Sequence, residues 1–418
     1  MALIFAPGHL EISEVEFQPA HPDIFCSYLA ANFVRALADI IEREKSNLHE
    51  FRADINVQGS YSSCGAEQEA RKKLNFNIAG QINLPQNVFL DLENIAKREI
   101  ELLLQKAGYR QGVDFNEIHV SKRGITNQSI HLNGTSRENK FADSCVVYGH
   151  YIAPAIGIDG TFASLRLAQR IDQEIHNRHN NLGDIKPDGK VHLTLRHSGR
   201  RSGGHGADNE YDVERVYLSI SHGAEIDKQA IAHCVREITG GDPSIVVNAG
   251  GAFAKYFLSA DSGVSKAKDD VIVTGGLHGI GTDRIWGKCL YKASSTLIPY
   301  AFALSRAVCE ATGARYSSVA VYAEYGQRDA RLILQEIDPL HEKQRQEINK
   351  ALENMPRDRD SIREILEMPV NIETYRLFNQ PGRFHNPEMP WKRYDEQLAS
   401  MIEESLGSLV GHSSFGFK

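Results

Sequence analysis

Between Asn248 and Lys292 the chain sets Lys266, Lys268, Lys288 and Lys292 among two turn sequences, Asn248-Ala249-Gly250-Gly251 and Asp261-Ser262-Gly263. Ammonium groups gathered by turns in an acidic protein fit a small, highly charged anion, for which a polyphosphate is the natural occupant. The four-residue spacing of Lys288 and Lys292 predicts one face of a helix. Trp286, Leu290 and Tyr291 surround that pair with bulk that wants burial. The Asp261-Ser262-Gly263 turn reads as a plain hairpin or as an amide-rich nest. Two further groups could join it. His21-Pro22-Asp23 precedes an apolar helix, where a histidine and a carboxylate could flank a metal, although Asp23 also reads as a simple N-cap. Asp188-Gly189-Lys190 reads as a turn entering a strand.

The elements that must hold these residues follow from periodicity. Residues 22–45 carry Leu29, Phe33, Leu37 and Ile40 at helical spacing, and Leu74, Phe76 and Ile78 alternate as a half-buried strand does. Residues 87–107 read as a helix ending at Gly108, and Leu297 to Ala311 as an apolar helix closed by Thr312-Gly313. Val191–Leu195, Val216–Ser221 and Val319–Ala323 read as strands. Residues 122–140, polar and without period, suit either a lid or an ordinary surface loop. Residues 340–366, rich in charge, predict an exposed helix. No G-x-G-x-x-G follows a strand, so a Rossmann domain is not expected; several α+β units are.

Composition narrows the class. The chain has 418 residues, a formal charge of −7 and 41% hydrophobic content, which predicts two or three globular domains and no basic footprint for nucleic acid. No uninterrupted apolar run of membrane length and no secretory leader are read, so a cytoplasmic protein without a membrane partner is expected. Six scattered cysteines without a C-x-x-C pair predict reduced thiols and no structural zinc.

Taken in order, the motifs resemble those of the bacterial and eukaryotic S-adenosylmethionine synthetases along nearly the whole chain. His21-Pro22-Asp23-Ile24-Phe25-Cys26 is similar to that family's Gly-His-Pro-Asp-Lys-Ile-Cys opening. Gly80-Gln81-Ile82 stands for Gly-Glu-Ile, with Glu69 upstream. Ala142-Asp143-Ser144-Cys145 resembles Gly-Asp-Gln-Gly, and Asp188-Gly189-Lys190 matches Asp-x-Lys. Asn248 to Phe253 resembles Asn-Pro-Thr-Gly-Arg-Phe, and Asp261 to Lys268 resembles Asp-Ala-Gly-Leu-Thr-Gly-Arg-Lys. Gly287-Lys288 with Lys292 reproduces both lysines of Gly-Lys-Asp-x-x-Lys. Met389-Pro390-Trp391 is similar to the terminal Phe-Pro-Trp.

The resemblance implies three interleaved α+β domains in pseudo-threefold arrangement: 1–19 with 154–256, 20–133 with 257–296, and 134–153 with 297–418. It implies a homodimer or dimer of dimers, and methionine sulfur attacking C5′ of ATP to release triphosphate, which is then hydrolysed to phosphate and diphosphate. By carry-over, His21, Lys190, Lys268 and Lys288 are catalytic. Asp188, Phe253, Lys266, Lys268 and Lys288 bind ATP, while Gln81, Asp143, Asp261 and Lys292 face the amino acid. Asp23, Glu69 and Asp283 are the metal candidates, for two Mg²⁺ with K⁺ as a further candidate, and residues 122–140 take the gating loop's place.

The departures are chemical. Ile24 and Gln81 replace a lysine and a glutamate, Ala267 replaces an arginine, and the gating Ser-Pro-Asp-Ile is absent. Lys292-Ala293-Ser294-Ser295-Thr296 lacks the magnesium aspartate and arginine of Lys-Val-Asp-Arg-Ser. Asp283-Arg284 upstream is the expected replacement. Two alternatives stay open: the same ATP chemistry with a different thioether or amino-acid acceptor, and a non-catalytic nucleotide-binding homologue.

Overall fold

The computed structural model describes residues 10–16, 21–63, 72–85, 88–107, 117–127, 139–141, 144–152, 163–197, 211–254, 257–259, 261–274, 279–282, 284–379 and 395–410. The chain is mixed α+β and forms three small sheets.

The central sheet runs β4 (Glu117–Asn127), β3 (Lys72–Asn83), β2 (Arg52–Ser63) and β9 (Gly263–Val264). β2 is antiparallel to β3 and β9, and β3 is parallel to β4. In β2 the odd positions Ala53, Ile55 and Val57 are buried, as is Phe51 just before the strand, so Arg52, Asp54, Asn56 and Gln58 share the other face. Helix α1 (Pro22–Arg43) packs on this sheet beside α2 (Leu92–Lys106). By length and composition α1 could cross a membrane, yet 83% of its most apolar window is buried inside the protein. It is the core helix of this sheet.

A second sheet runs β1 (Leu10–Glu16), β6 (Gly183–His197), β7 (Tyr211–Ile226) and β8 (Ser244–Val247). Helices α3 (Ala163–Asn177) and α4 (Lys228–Thr239) cover one face through Ala168, Ile171, Ile175, Ile231 and Val235, forming a core separate from the main one. The third sheet is β11 (Arg331–Ile337), β10 (Tyr316–Ala323) and β5 (Cys145–Ile152). Helix α5 (Ala293–Thr312) lies on it and ends at Gly313, whose φ of 74° supplies the left-handed C-cap.

Two expectations change. Lys122 to Asn127 belong to strand β4, and residues 128–138 lie outside the described residues. Residues 340–366 are not one exposed helix. They include α6 (Arg345–Glu353) and α7 (Arg359–Ile365), whose Ile348, Leu352 and Ile362 are fully buried; Ile348, Ala351 and Leu352 show the i, i+3, i+4 signal of a packed face. Two further helices are α8 (Ile372–Phe378) and α9 (Asp395–Val410), besides short helical segments at His179–Leu182 and Asp269–Thr274. Cys26, Cys145, Cys234, Cys289 and Cys309 are buried, and Cys26, Cys234, Cys289 and Cys309 are free thiols.

Candidate functional site

The site begins where α1 starts. His21 is the N-cap, its Nδ1 accepting the Asp23 amide at 3.2 Å, so the capping role expected of Asp23 falls to its neighbour. That frees the Asp23 carboxylate. Asp23 and Ser27, four apart on one face of α1, accept the amides of Val264 and Lys266, each at 2.8 Å. Between them, Ser265 exchanges two hydrogen bonds with the backbone of Val57, both 2.8 Å. The 263–266 turn is thereby clamped between α1 and β2. Only glycine fits at its start, since a Cβ on Gly263 would stand 2.3 Å from the Pro22 carbonyl. Lys266 follows in the left-handed region, with φ 71°. Strain of this kind costs about 1–3 kcal/mol and persists where surrounding contacts enforce it.

Lys266 Nζ reaches Asp54 Oδ1 at 2.8 Å, and Lys292 Nζ reaches Asp54 Oδ2 at 3.1 Å. Lys288 joins them. It is not on a helix with Lys292: residues 287–289 pair with β2, Ile55 donating to the Gly287 carbonyl at 2.7 Å and Cys289 to Ala53 at 2.9 Å. Asp54 and Lys288 are bridge partners across that pairing. Lys288 is buried, its ammonium donating to Ser294 Oγ at 3.2 Å, and Lys292 takes the N-cap position of α5. The predicted helix face is therefore a strand-like segment followed by a turn. Burial alone would raise the Asp54 carboxyl, but the ammonium groups of Lys266, Lys288 and Lys292 outweigh it and hold it well below the ordinary carboxylate range. Burial lowers the Lys266 ammonium, against the pull of Asp54. On the neighbouring strand Gln81 stands directly opposite Asp54, with its side chain on the same face. Three lysines on one carboxylate leave net positive charge for an anion.

The other half of the site is mixed in sign. Asp23 and Asp188 both feel Lys190 and Asp261, and Asp23 also feels Lys268. Burial raises Asp23 above its ordinary value. Asp188 is 3% exposed and accepts the Phe257 amide at 2.6 Å; burial pushes its carboxyl up to about 6. Ser221 Oγ donates to the Asp188 carbonyl at 2.6 Å, tying β7 to this corner. One residue on, His222 and Phe253 are joined twice, His222 N donating to the Phe253 carbonyl at 3.0 Å and Phe253 N donating to the His222 imidazole Nε2 at 3.2 Å. Asn248 fixes the preceding turn by bonding both backbone groups of Ile220. From Lys190 an open cleft of about 540 Å³ runs along His192, Thr194, Arg215, Tyr217 and Ser219.

Thus the fold gathers Lys266, Lys288, Lys292 and Gln81 around Asp54, and Asp23, Asp188, Asp261, Lys190 and Lys268 around a second centre. The 263–268 turn joins the two, with His21 capping α1 alongside and Phe253 held at His222. Glu69, Asp143 and Asp283 lie outside the described residues. Arg284, expected with Asp283 to rebuild the altered motif, pairs with Asp270 at 3.2 Å. Among the described residues no three metal-ligating side chains stand together. Asp54 is the residue that sequence reasoning missed. Its signal was weak: a lone carboxylate on the polar face of an alternating strand. No protein-family model matches the chain, and no curated protein matches it.

Proposed function

We propose that the chain is a divergent S-adenosylmethionine synthetase, built on that family's three-domain α+β plan and joining ATP to methionine. The observation that carries this reading is the convergence of Lys266, Lys288 and Lys292 on Asp54, beside a second centre holding Asp23, Lys190 and Lys268. A triphosphate leaving group carries about four negative charges, and such a group needs fixed cations already in place. In the reaction a methionine sulfur lone pair forms the S–C5′ bond as the C5′–O bond breaks, and triphosphate departs with the electron pair. No proton moves in that step.

The chain's residues would then divide the work. Lys288 and Lys266 hold the triphosphate, and Lys190 and Lys268 approach it from the acidic centre. Asp188 accepts from the ribose, and Phe253 offers a face to the adenine. Gln81, Asp261 and Lys292 serve the amino acid. Mg²⁺ keeps much of its shell as water and phosphate, so one or two protein carboxylates suffice. Asp23 fits that role, being half-buried with one oxygen on the Val264 amide. Asp54 does not, because lysines take both its oxygens. When bound, the metal would neutralise developing phosphate charge.

Incubation with ATP, Mg²⁺, K⁺ and methionine, following S-adenosylmethionine and phosphate together, tests the proposal. Both products are expected, and both should be lost in Lys288→Ala. A second reading, a different thioether or amino-acid acceptor, is favoured by Gln81, since an amide stands where a carboxylate would receive an ammonium. Triphosphate release with another thioether but not with methionine would select it. ATP binding without triphosphate release by any acceptor would leave a nucleotide-binding homologue and refute both.

A further inference from the structure

The carboxylate of Asp54 stands between two lysines that differ in their surroundings. Lys266 lies on Oδ1, and Lys292 lies on Oδ2 where α5 begins. Lys288, buried, is turned to Ser294. The Asp54 side chain is 23% exposed, against 10% for Lys266 and 9% for Lys292, so the ion pairs open to solvent on the carboxylate side. Directly across on β3, Gln81 is exposed and shares the strand face. Side chains so paired have Cβ atoms about 4.5–5.5 Å apart. An ionised carboxylate, an ammonium and an amide thus meet at one open corner of the central sheet.

A carboxylate oxygen accepts in two directions, so one lysine on each leaves Asp54 able to take a further donor. The lysines also keep it ionised, since they hold its carboxyl well below the ordinary range. The surrounding charge decides which donor. A bare cation would add to three ammonium groups already gathered there. A neutral group that carries both charges adds none, because its ammonium meets Asp54 as its carboxylate meets Lys292. The head of an α-amino acid is such a group: it sets the reverse ion pair against the Asp54–Lys292 pair, and each charge gains an opposite partner. The Gln81 amide can donate to that carboxylate or accept from that ammonium.

We propose that Asp54 receives the α-ammonium of the acceptor substrate, so that the Asp54–Lys292 pair, with Gln81 opposite, selects an α-amino acid zwitterion. The proposal rests on the adenosyl-transfer reading above and narrows it: the acceptor carries a free α-amino group as well as a thioether. A thioether acid without the amino group meets Lys292 alone and leaves Asp54 facing its lysines. Lys266 and Lys288 remain for the phosphates, which places Asp54 at the border between the amino-acid end of the site and its polyphosphate end.

Calorimetric titration of the full chain, with Mg²⁺ and a non-hydrolysable ATP analogue present, compares methionine with 4-(methylthio)butanoate, which keeps the thioether and carboxylate but lacks the ammonium. Methionine should bind at least about tenfold more tightly, the scale of one charge-assisted hydrogen bond. In Asp54→Asn that preference should largely vanish, whatever happens to overall affinity, because both ligands meet the same altered lysines. Adding Gln81→Glu to Asp54→Asn returns a carboxylate from directly across the strand pair and should recover much of the preference. A merely structural Asp54 would weaken both ligands alike and leave their ratio unchanged. If Asp54→Asn does not fold, Asp54→Asn with Lys266→Met, which removes one uncompensated ammonium, carries the same comparison. Equal affinities in the parent, binding of neither ligand, or a preference that survives the loss of Asp54 would overturn the assignment. Adenosyl transfer is judged separately, by triphosphate release. A methionine preference erased with Asp54, in a chain that releases no triphosphate, would uphold the receptor and refute the transfer.

Discussion

Asp54→Asn is the sharpest perturbation of the cation cluster, because it removes one charge and almost no volume. In the intact protein the carboxylate meets Lys266 at 2.8 Å and Lys292 at 3.1 Å. At an effective dielectric near 20, each such contact has a gross attraction of about 5 kcal/mol, most of which desolvation takes back. Breaking one partner of a buried pair leaves the others uncompensated and costs about 3–5 kcal/mol. Here three ammonium groups would face one another, with side chains of Lys266 and Lys292 only 10% and 9% exposed. Urea denaturation should therefore show a loss of about 3–5 kcal/mol. Tripolyphosphate should restore more stability to the variant than to the parent, by about 1.4 kcal/mol for each tenfold gain in affinity. Adding Lys266→Met to Asp54→Asn should recover part of the loss without any ligand. If Asp54→Asn unfolds within about 0.5 kcal/mol of the parent, or if tripolyphosphate stabilises both equally, the cluster is not the anion trap argued above.

Other tests probe neighbouring parts. The Asp54 carboxyl is depressed in the fold, so its stabilisation is present above the ordinary value of 3.8 and is lost as pH falls through the lower folded value. An acid titration should show Asp54→Asn and the parent converging in stability at low pH. Asp188 behaves oppositely: raised from 3.8 to about 6, it imposes no penalty below 3.8, a growing one up to about 6, and a constant one above. The shift of about two units corresponds to roughly 3 kcal/mol, so Asp188→Asn should be more stable than the parent at pH 8 but not at pH 4 in urea melts. The same variant should lose ATP turnover. Lys288→Met should cut turnover by about 10²–10³ in steady-state assays, the scale for removing one preorganised stabilising group. Gly263→Ala should cost about 1–3 kcal/mol by driving a Cβ into the Pro22 carbonyl. Gly250→Ala, where a Cβ meets open space, should melt within about 0.5 kcal/mol of the parent.

What the sequence displayed was local. The helix expected over 22–45 is observed at Pro22–Arg43, and the one expected from Leu297 extends from Ala293 to Thr312, because an apolar stripe and a glycine stop are short-range signals. The helix expected over 87–107 starts later, at Leu92 behind its Asp91 cap. Lys288 and Lys292 were legible as partners but not in their geometry. Their segment pairs with β2, a contact between residue 54 and residue 288 that no window of neighbouring residues contains. Asp54 was hidden for the same reason. On an alternating strand a lone carboxylate reads as solvated until the lysines arrive from distant turns. His21 as the cap, rather than Asp23, depends on which side chain the 263–266 turn claims first.

Helix α1 has a consequence for how the chain is made. Residues 22–43 have the length and apolarity of a membrane span, and in the finished protein they are hidden by β2, the 263–266 turn and helix α8. The 263–266 turn is synthesised only about 220 residues after the helix is complete, roughly 10–45 s later at 5–20 residues per second. Throughout that interval one of the most apolar segments of the protein has β2 and α2 beside it but lacks the 263–266 turn and α8 that complete its cover. Slow, cool expression or a chaperone that holds apolar helices should therefore decide the yield of folded protein more than the stability of the final state does.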